Sequence, residues 1–163
     1  MACREILGLL QTLGAACFAL TSVSAQAQQV RINKLADAAF GTIANFNVDQ
    51  RRSRSICVFT TPLGTRYQVT ATGSGAGGAF TIASGASTMA YEVQWAASAG
   101  QTTGTALAAG TALTNLTTAA TRSGCTTAPA TSASLITILR SATVSAARSG
   151  NYTGTLTLLI APN

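Results

Sequence analysis

Histidine is absent from all 163 residues, and charged side chains make up only 9% of the chain. The first absence removes the side chain that titrates nearest neutral pH and the commonest nitrogen ligand of metals. A hydrolase triad would lack its base, and a metal site built on nitrogen or sulfur ligands is excluded. Acids number four against ten Lys and Arg. Beyond the first residues they are Asp37, Asp49 and Glu92, none close to another in sequence. A paired-carboxylate glycosidase site is therefore a poor reading. Aromatic residues are also few, at 6%. The densest basic piece, Arg51, Arg52 and Arg54, has only Phe46 and Phe59 near it, with no repeated interleaving of stacking rings, so a nucleic-acid groove is not indicated. It reads as a solvated hairpin. The sequence predicts a non-enzyme with no cofactor and no metal.

The amino terminus carries the marks of an export signal. Arg4 supplies a short charged region, Ile6 to Leu20 is mostly apolar, and Ala25-Gln26-Ala27 is a small-x-small cleavage site. The expected domains are a signal peptide over 1–27 and a mature β-sandwich over 28–163. Gln11 and Thr12 interrupt the apolar run, so no stable membrane insertion is expected after cleavage. The mature chain then keeps Cys57 and Cys125. In an exported protein two cysteines read as one disulfide.

What the chain has in quantity is threonine, alanine, glycine and serine arranged with a period of two. Tyr67, Val69 and Ala71 alternate with polar residues, as do Tyr91, Val93 and Trp95, and the closing stretch places Leu156, Leu158 and Ile160 on one face. Ser55 to Thr60 and Leu135 to Leu139 are further strands. Val30 and Ile32 begin the first strand, and Ala39 to Ile43 resumes an extended look after a kink. Asn45 to Arg54 reads as a connection. Gly73 to Gly78 is a loop, since neither a helix nor a Lys-Ser/Thr pair follows to make a phosphate cradle. Val144 to Ser149 is a short turn with some helical character. Seven or eight short strands with no amphipathic helix argue for an all-β, antiparallel β-sandwich with Greek-key connections.

Several segments together resemble the spore coat protein U domain family, which includes pilin subunits of the archaic chaperone-usher pathway. They are Ala39-Phe40-Gly41-Thr42, Ser55-Ile56-Cys57-Val58, Tyr67 to Gly75, Met89 to Trp95 and Gly150 to Leu158. The resemblance implies an immunoglobulin-like sandwich lacking its final strand. A periplasmic chaperone would lend that strand during export, and a neighbouring pilus subunit would replace it in the fibre. The strand-acceptor groove would be lined by Ile32, Leu156, Leu158 and Ile160. Val30 to Leu35 looks like an integral strand, which leaves little of the mature amino terminus as a donor segment.

The expected function is an exported structural subunit of a surface fibre or pilus, assembled by donor-strand complementation through a periplasmic chaperone and usher. It would pass through the periplasm to the cell surface. An alternative is a self-contained secreted sandwich that binds a glycan or another surface ligand.

Overall fold

In a computed structural model that describes residues 27–163, period-two alternation becomes ten strands, with one short α-helix and a single 3-10 turn at Ala76–Gly78. The signal peptide expected over 1–27 lies outside the described residues except for Ala27. Strands β1 (Gln29–Asn33), β2 (Gln50–Thr61), β9 (Ala133–Leu139), β6 (Glu92–Ala96) and β7 (Thr105–Ala106) form a five-stranded sheet in that order. Strands β10 (Leu156–Pro162), β3 (Tyr67–Gly73) and β8 (Ala112–Leu116) form a three-stranded sheet. A hairpin of β4 (Thr81–Ser84) and β5 (Ser87–Ala90) stands apart, and the helix α1 spans Ser141–Ala146. Every pairing is antiparallel, so the protein is an all-β sandwich.

The core forms where the two inner faces meet. Ile56, Val58, Val93, Trp95, Ala133 and Leu135 come from the larger sheet and Tyr67, Val69 and Ala71 from the smaller, all buried. Leu156, Leu158 and Ile160 pack against this cluster with the parity the sequence predicts, while Leu159 is 65% exposed. A satellite cluster of Met89, Leu139 and Val144 takes in Phe40, Ile43, Ile82 and Tyr152.

Strand β9 is buried on both faces, which alternation alone does not predict. Its outward Ile136 and Ile138 are completely buried. The loop around residues 98–102 folds over them: Gln101 N–H donates to Ser134 Oγ, Ser53 Oγ donates to the Gln101 carbonyl, and Arg51 Nη1 donates to the Thr102 carbonyl. The polar groups of the loop are thereby satisfied by the sheet it covers.

Three local expectations are corrected. Gln50 to Arg54 belongs to β2, because it pairs with β9 from Gln50↔Leu139 to Arg54↔Leu135. The arginines there are anchors for the chain and not a solvated hairpin: Arg52 donates to the carbonyls of Ala39 and Phe40, and Arg54 to that of Asp37. Met89 to Trp95 is two strands, broken at Tyr91, whose ring packs against Phe80 at 5.7 Å between centroids. The segment after β1 does not resume a ladder over Ala39 to Ile43. Lys34 has φ of 62°, in the left-handed region, and turns the chain out of the β1–β2 pairing; its ammonium donates to the Ala130 carbonyl at 2.7 Å.

Candidate strand-acceptor cleft

β2 changes partners along its length, and that creates the open side of the sandwich. Its second half, Cys57 to Thr61, pairs with β1, whereas its first half pairs with β9 on the opposite edge. Past Asn33 the chain is therefore a wall held by arginine side chains, without a ladder of its own. Facing this wall is β10, an edge strand that pairs with β3 from Leu156↔Gly73 to Pro162↔Tyr67 and with no strand on its other side among the described residues.

Between them lies a cleft of about 1170 Å³. One side is residues 35–43 with Phe46, the other is 147–156 with Leu158, and Met89, Tyr91, Leu135 and Leu139 contribute from beneath. Burial pushes the Tyr91 phenol above its ordinary pKa, as befits an apolar floor. Leu35 and Phe46 are each 51% exposed at the rim. An unpaired strand edge beside an apolar trough is a template for an added strand: the backbone supplies the ladder and the trough takes alternate side chains.

The approach to β10 is shaped by glycine. Ala83 and Thr153 exchange backbone hydrogen bonds at 2.8 and 3.0 Å, which fastens the segment before β10 to the β4–β5 hairpin. A Cβ on Gly154 would come within 2.9 Å of Ile82 Cγ2 and 3.0 Å of the Thr81 carbonyl oxygen, and one on Gly150 within 2.6 Å of Ser84 Oγ. At Gly154 the obstacle includes backbone, so glycine is what lets the two chains approach this closely, whereas at Gly150 it is the Ser84 side chain.

Of the groove residues the sequence singles out, Leu156 and Leu158 line the cleft. Ile32 and Ile160 pack against the main core instead and are not part of its lining. The cleft is thus open along the first part of β10. Sequence reasoning missed the opposing wall, Leu35 to Ile43 with Phe46. Its signal was faint: several apolar residues in a stretch that lacks alternation.

Cys57 and Cys125 form the expected disulfide, with Cα atoms 6.0 Å apart. Both are buried beside Ala120 and Phe59. Two of the three described carboxylates converge on one cation. Arg140 donates Nε and Nη2 to both Glu92 oxygens at 2.8 and 2.6 Å and Nη1 to Asp49 Oδ2 at 2.7 Å. The Ser141 N–H donates to Asp49 Oδ1 at 2.9 Å, and this bond, followed by Arg140, holds the Asp49 carboxyl below the usual carboxylate range; Glu92 is lowered chiefly by its bonds to Arg140. These acids are therefore ion-paired. Among the described residues no group of three His, Cys, Asp or Glu is placed to hold a metal, and no helix is long and apolar enough to cross a membrane.

An antiparallel β-sandwich with an unpaired edge strand beside an apolar cleft is the class that this geometry defines. A similar fold occurs in a solved structure of a chaperone–tip adhesin complex described as vital for the synergistic activation of CFA/I fimbriae biogenesis. The TM-score is 0.52 at 12% identity, over 83% of this chain and 41% of that one, so the chain spans less than half of its neighbour's length. At that identity the likeness is one of fold. No family profile and no curated protein sequence matches the chain, so the spore coat protein U resemblance rests on its motifs.

Proposed function

We propose that this chain is an exported structural subunit of a surface fibre, and that its cleft receives a strand from another protein. A periplasmic chaperone fills it first, and an adjoining subunit takes over as the fibre is assembled at an usher. The observation that carries this reading is the unpaired edge of β10 facing a cleft of about 1170 Å³ with Leu156 and Leu158 on its lining. The fold shared with a chaperone–tip adhesin complex supports the same reading. β1 serves the acceptor as an integral strand, since Gln29–Asn33 pairs throughout with β2.

The test is export of the full chain to a periplasm with and without a chaperone of the archaic pathway. Alone, the protein should aggregate or be degraded; with the chaperone it should be recovered as a complex in which β10 amides are protected from hydrogen exchange. Leu156→Glu combined with Leu158→Glu should abolish that complex. Recovery of a stable monomer without any chaperone, with β10 exchanging slowly, would instead establish a self-contained module.

A further inference from the structure

The outer face of the β1–β2 pair carries a second concavity, of about 360 Å³, none of whose lining belongs to the strand-acceptor cleft. Antiparallel register places Arg31 opposite Phe59 and Gln29 opposite Thr61. These four share the face that points away from the core, because their neighbours Val30, Ile32 and Val58 face inward. The turn carrying Thr121, Arg122 and Ser123 walls the concavity.

That wall is fixed in place. The Cys57–Cys125 disulfide ties it to β2, Asn33 Nδ2 donates to the Ser123 carbonyl at 2.7 Å, and Cys125 N–H donates to the Arg122 carbonyl at 3.0 Å. Phe59 is half-buried and packs on the disulfide cluster, leaving part of its ring as the floor.

The charges are unbalanced. Two arginines line the concavity and no carboxylate does. Asp49 and Glu92 are both engaged at Arg140. Among the described residues neither the Arg31 nor the Arg122 side chain has a hydrogen-bond or ion-pair partner, whereas Arg51, Arg52, Arg54 and Arg66 all donate to backbone carbonyls. Two like charges around one hollow repel unless an anion joins them, and a guanidinium fork matches carboxylate or sulfate geometry.

We infer that this concavity is a binding site for an acidic saccharide, a sugar bearing a carboxylate or a sulfate. Arg31 and Arg122 hold the anion, the Phe59 ring takes the apolar face of the sugar, and Gln29, Thr61 and Thr121 offer neutral hydrogen-bonding groups to its hydroxyls. The site does not depend on strand acceptance, so either reading can fail alone.

Calorimetric titration of the exported protein, as its chaperone complex with the chaperone alone as the blank or as the free monomer if that is what is recovered, tests it with three probes: a galacturonate oligosaccharide, a heparin oligosaccharide and neutral dextran. At least one of the two anionic saccharides should bind and dextran should not; binding of the galacturonate probe shows that a carboxylate suffices, whereas binding of heparin alone, which bears both groups, assigns the site to sulfate. Arg31→Gln and Arg122→Gln should each weaken that binding about tenfold, the loss expected for charge-assisted hydrogen bonds. Arg31→Lys, which keeps the charge but loses the fork, should fall between. Arg51→Gln, at the far end of β2 and in the lining of neither hollow, is the control and should bind as the parent does. The inference is overturned if neither anionic saccharide binds, if Arg51→Gln loses as much as the other two, or if the protein binds vesicles of anionic phospholipid and neither saccharide.

Discussion

Trp95 Nε1 donates a hydrogen bond to the Tyr67 hydroxyl at 3.2 Å across the inside of the sandwich, with the two rings edge to face at 6.4 Å. Each residue belongs to a different sheet, so this one bond joins the two layers through their largest buried side chains. Burial also pushes the Tyr67 phenol above its ordinary pKa, which keeps the hydroxyl neutral. Tyr67→Phe leaves the rings in contact but strands the buried indole N–H, a loss of about 1–3 kcal/mol. Tyr152→Phe removes an exposed bond to the Arg148 carbonyl and should cost less. Urea denaturation of the two variants measures the difference.

The disulfide closes a loop with a sequence separation of 68. In the chain-entropy model a link over that length constrains the unfolded chain by about 4 kcal/mol. Cys57→Ala/Cys125→Ala should therefore lose a few kcal/mol of stability, read by thermal melting. It should also loosen the Arg122 turn, visible as faster hydrogen exchange at residues 121–125.

Along β10 the two faces differ in what truncation removes. Leu158 is half-buried and lines the cleft, whereas Thr157 is exposed. Leu158→Ala should cost about 2 kcal/mol, the low end for leucine truncation because burial is partial. Thr157→Ala should stay within about 0.5 kcal/mol, as surface changes do. Equal losses in chemical denaturation would mean that the strand is buried on both faces.

The Arg140 cluster gives an acid dependence of known sign. Both Asp49 and Glu92 have folded-state pKa values below their ordinary ones. Their stabilising contribution is complete above the unfolded carboxylate pKa, about 4, and is lost as pH falls through the lower folded values. The groups are more than a third exposed, so salt screens the effect. The melting temperature should fall on acidification below about pH 4, and Arg140→Gln should flatten that slope. An unchanged slope in the variant would show that other carboxylates carry the acid sensitivity.

The strands were legible where one face is buried and the other wet. Tyr67, Val69 and Ala71 alternate with polar neighbours, and the structure buries all three. Leu156, Leu158 and Ile160 likewise turn inward from a threonine-rich outer face. The Cys57–Cys125 bridge followed from an even count of cysteines in a chain expected to be exported. Each of these is a local or compositional constraint, and the sequence states it without reference to distant residues.

Tertiary contacts decided the rest. Gln50 to Arg54 looks like a polar connection, yet β9 recruits it as a strand, since a ladder needs only backbone groups and a partner. Ile136 and Ile138 are buried on the outer face because a loop far along the chain returns to cover them. The cleft wall at residues 35–43 has no periodicity, because carbonyls accepting from Arg52 and Arg54 place it and no strand ladder does. Arg31 and Arg122 stand 91 positions apart in sequence and share a hollow only because β1 lies beside β2 and a disulfide brings the second turn to them. Alternation reports which side of a strand faces inward; it carries no information about which distant segment will lie against it.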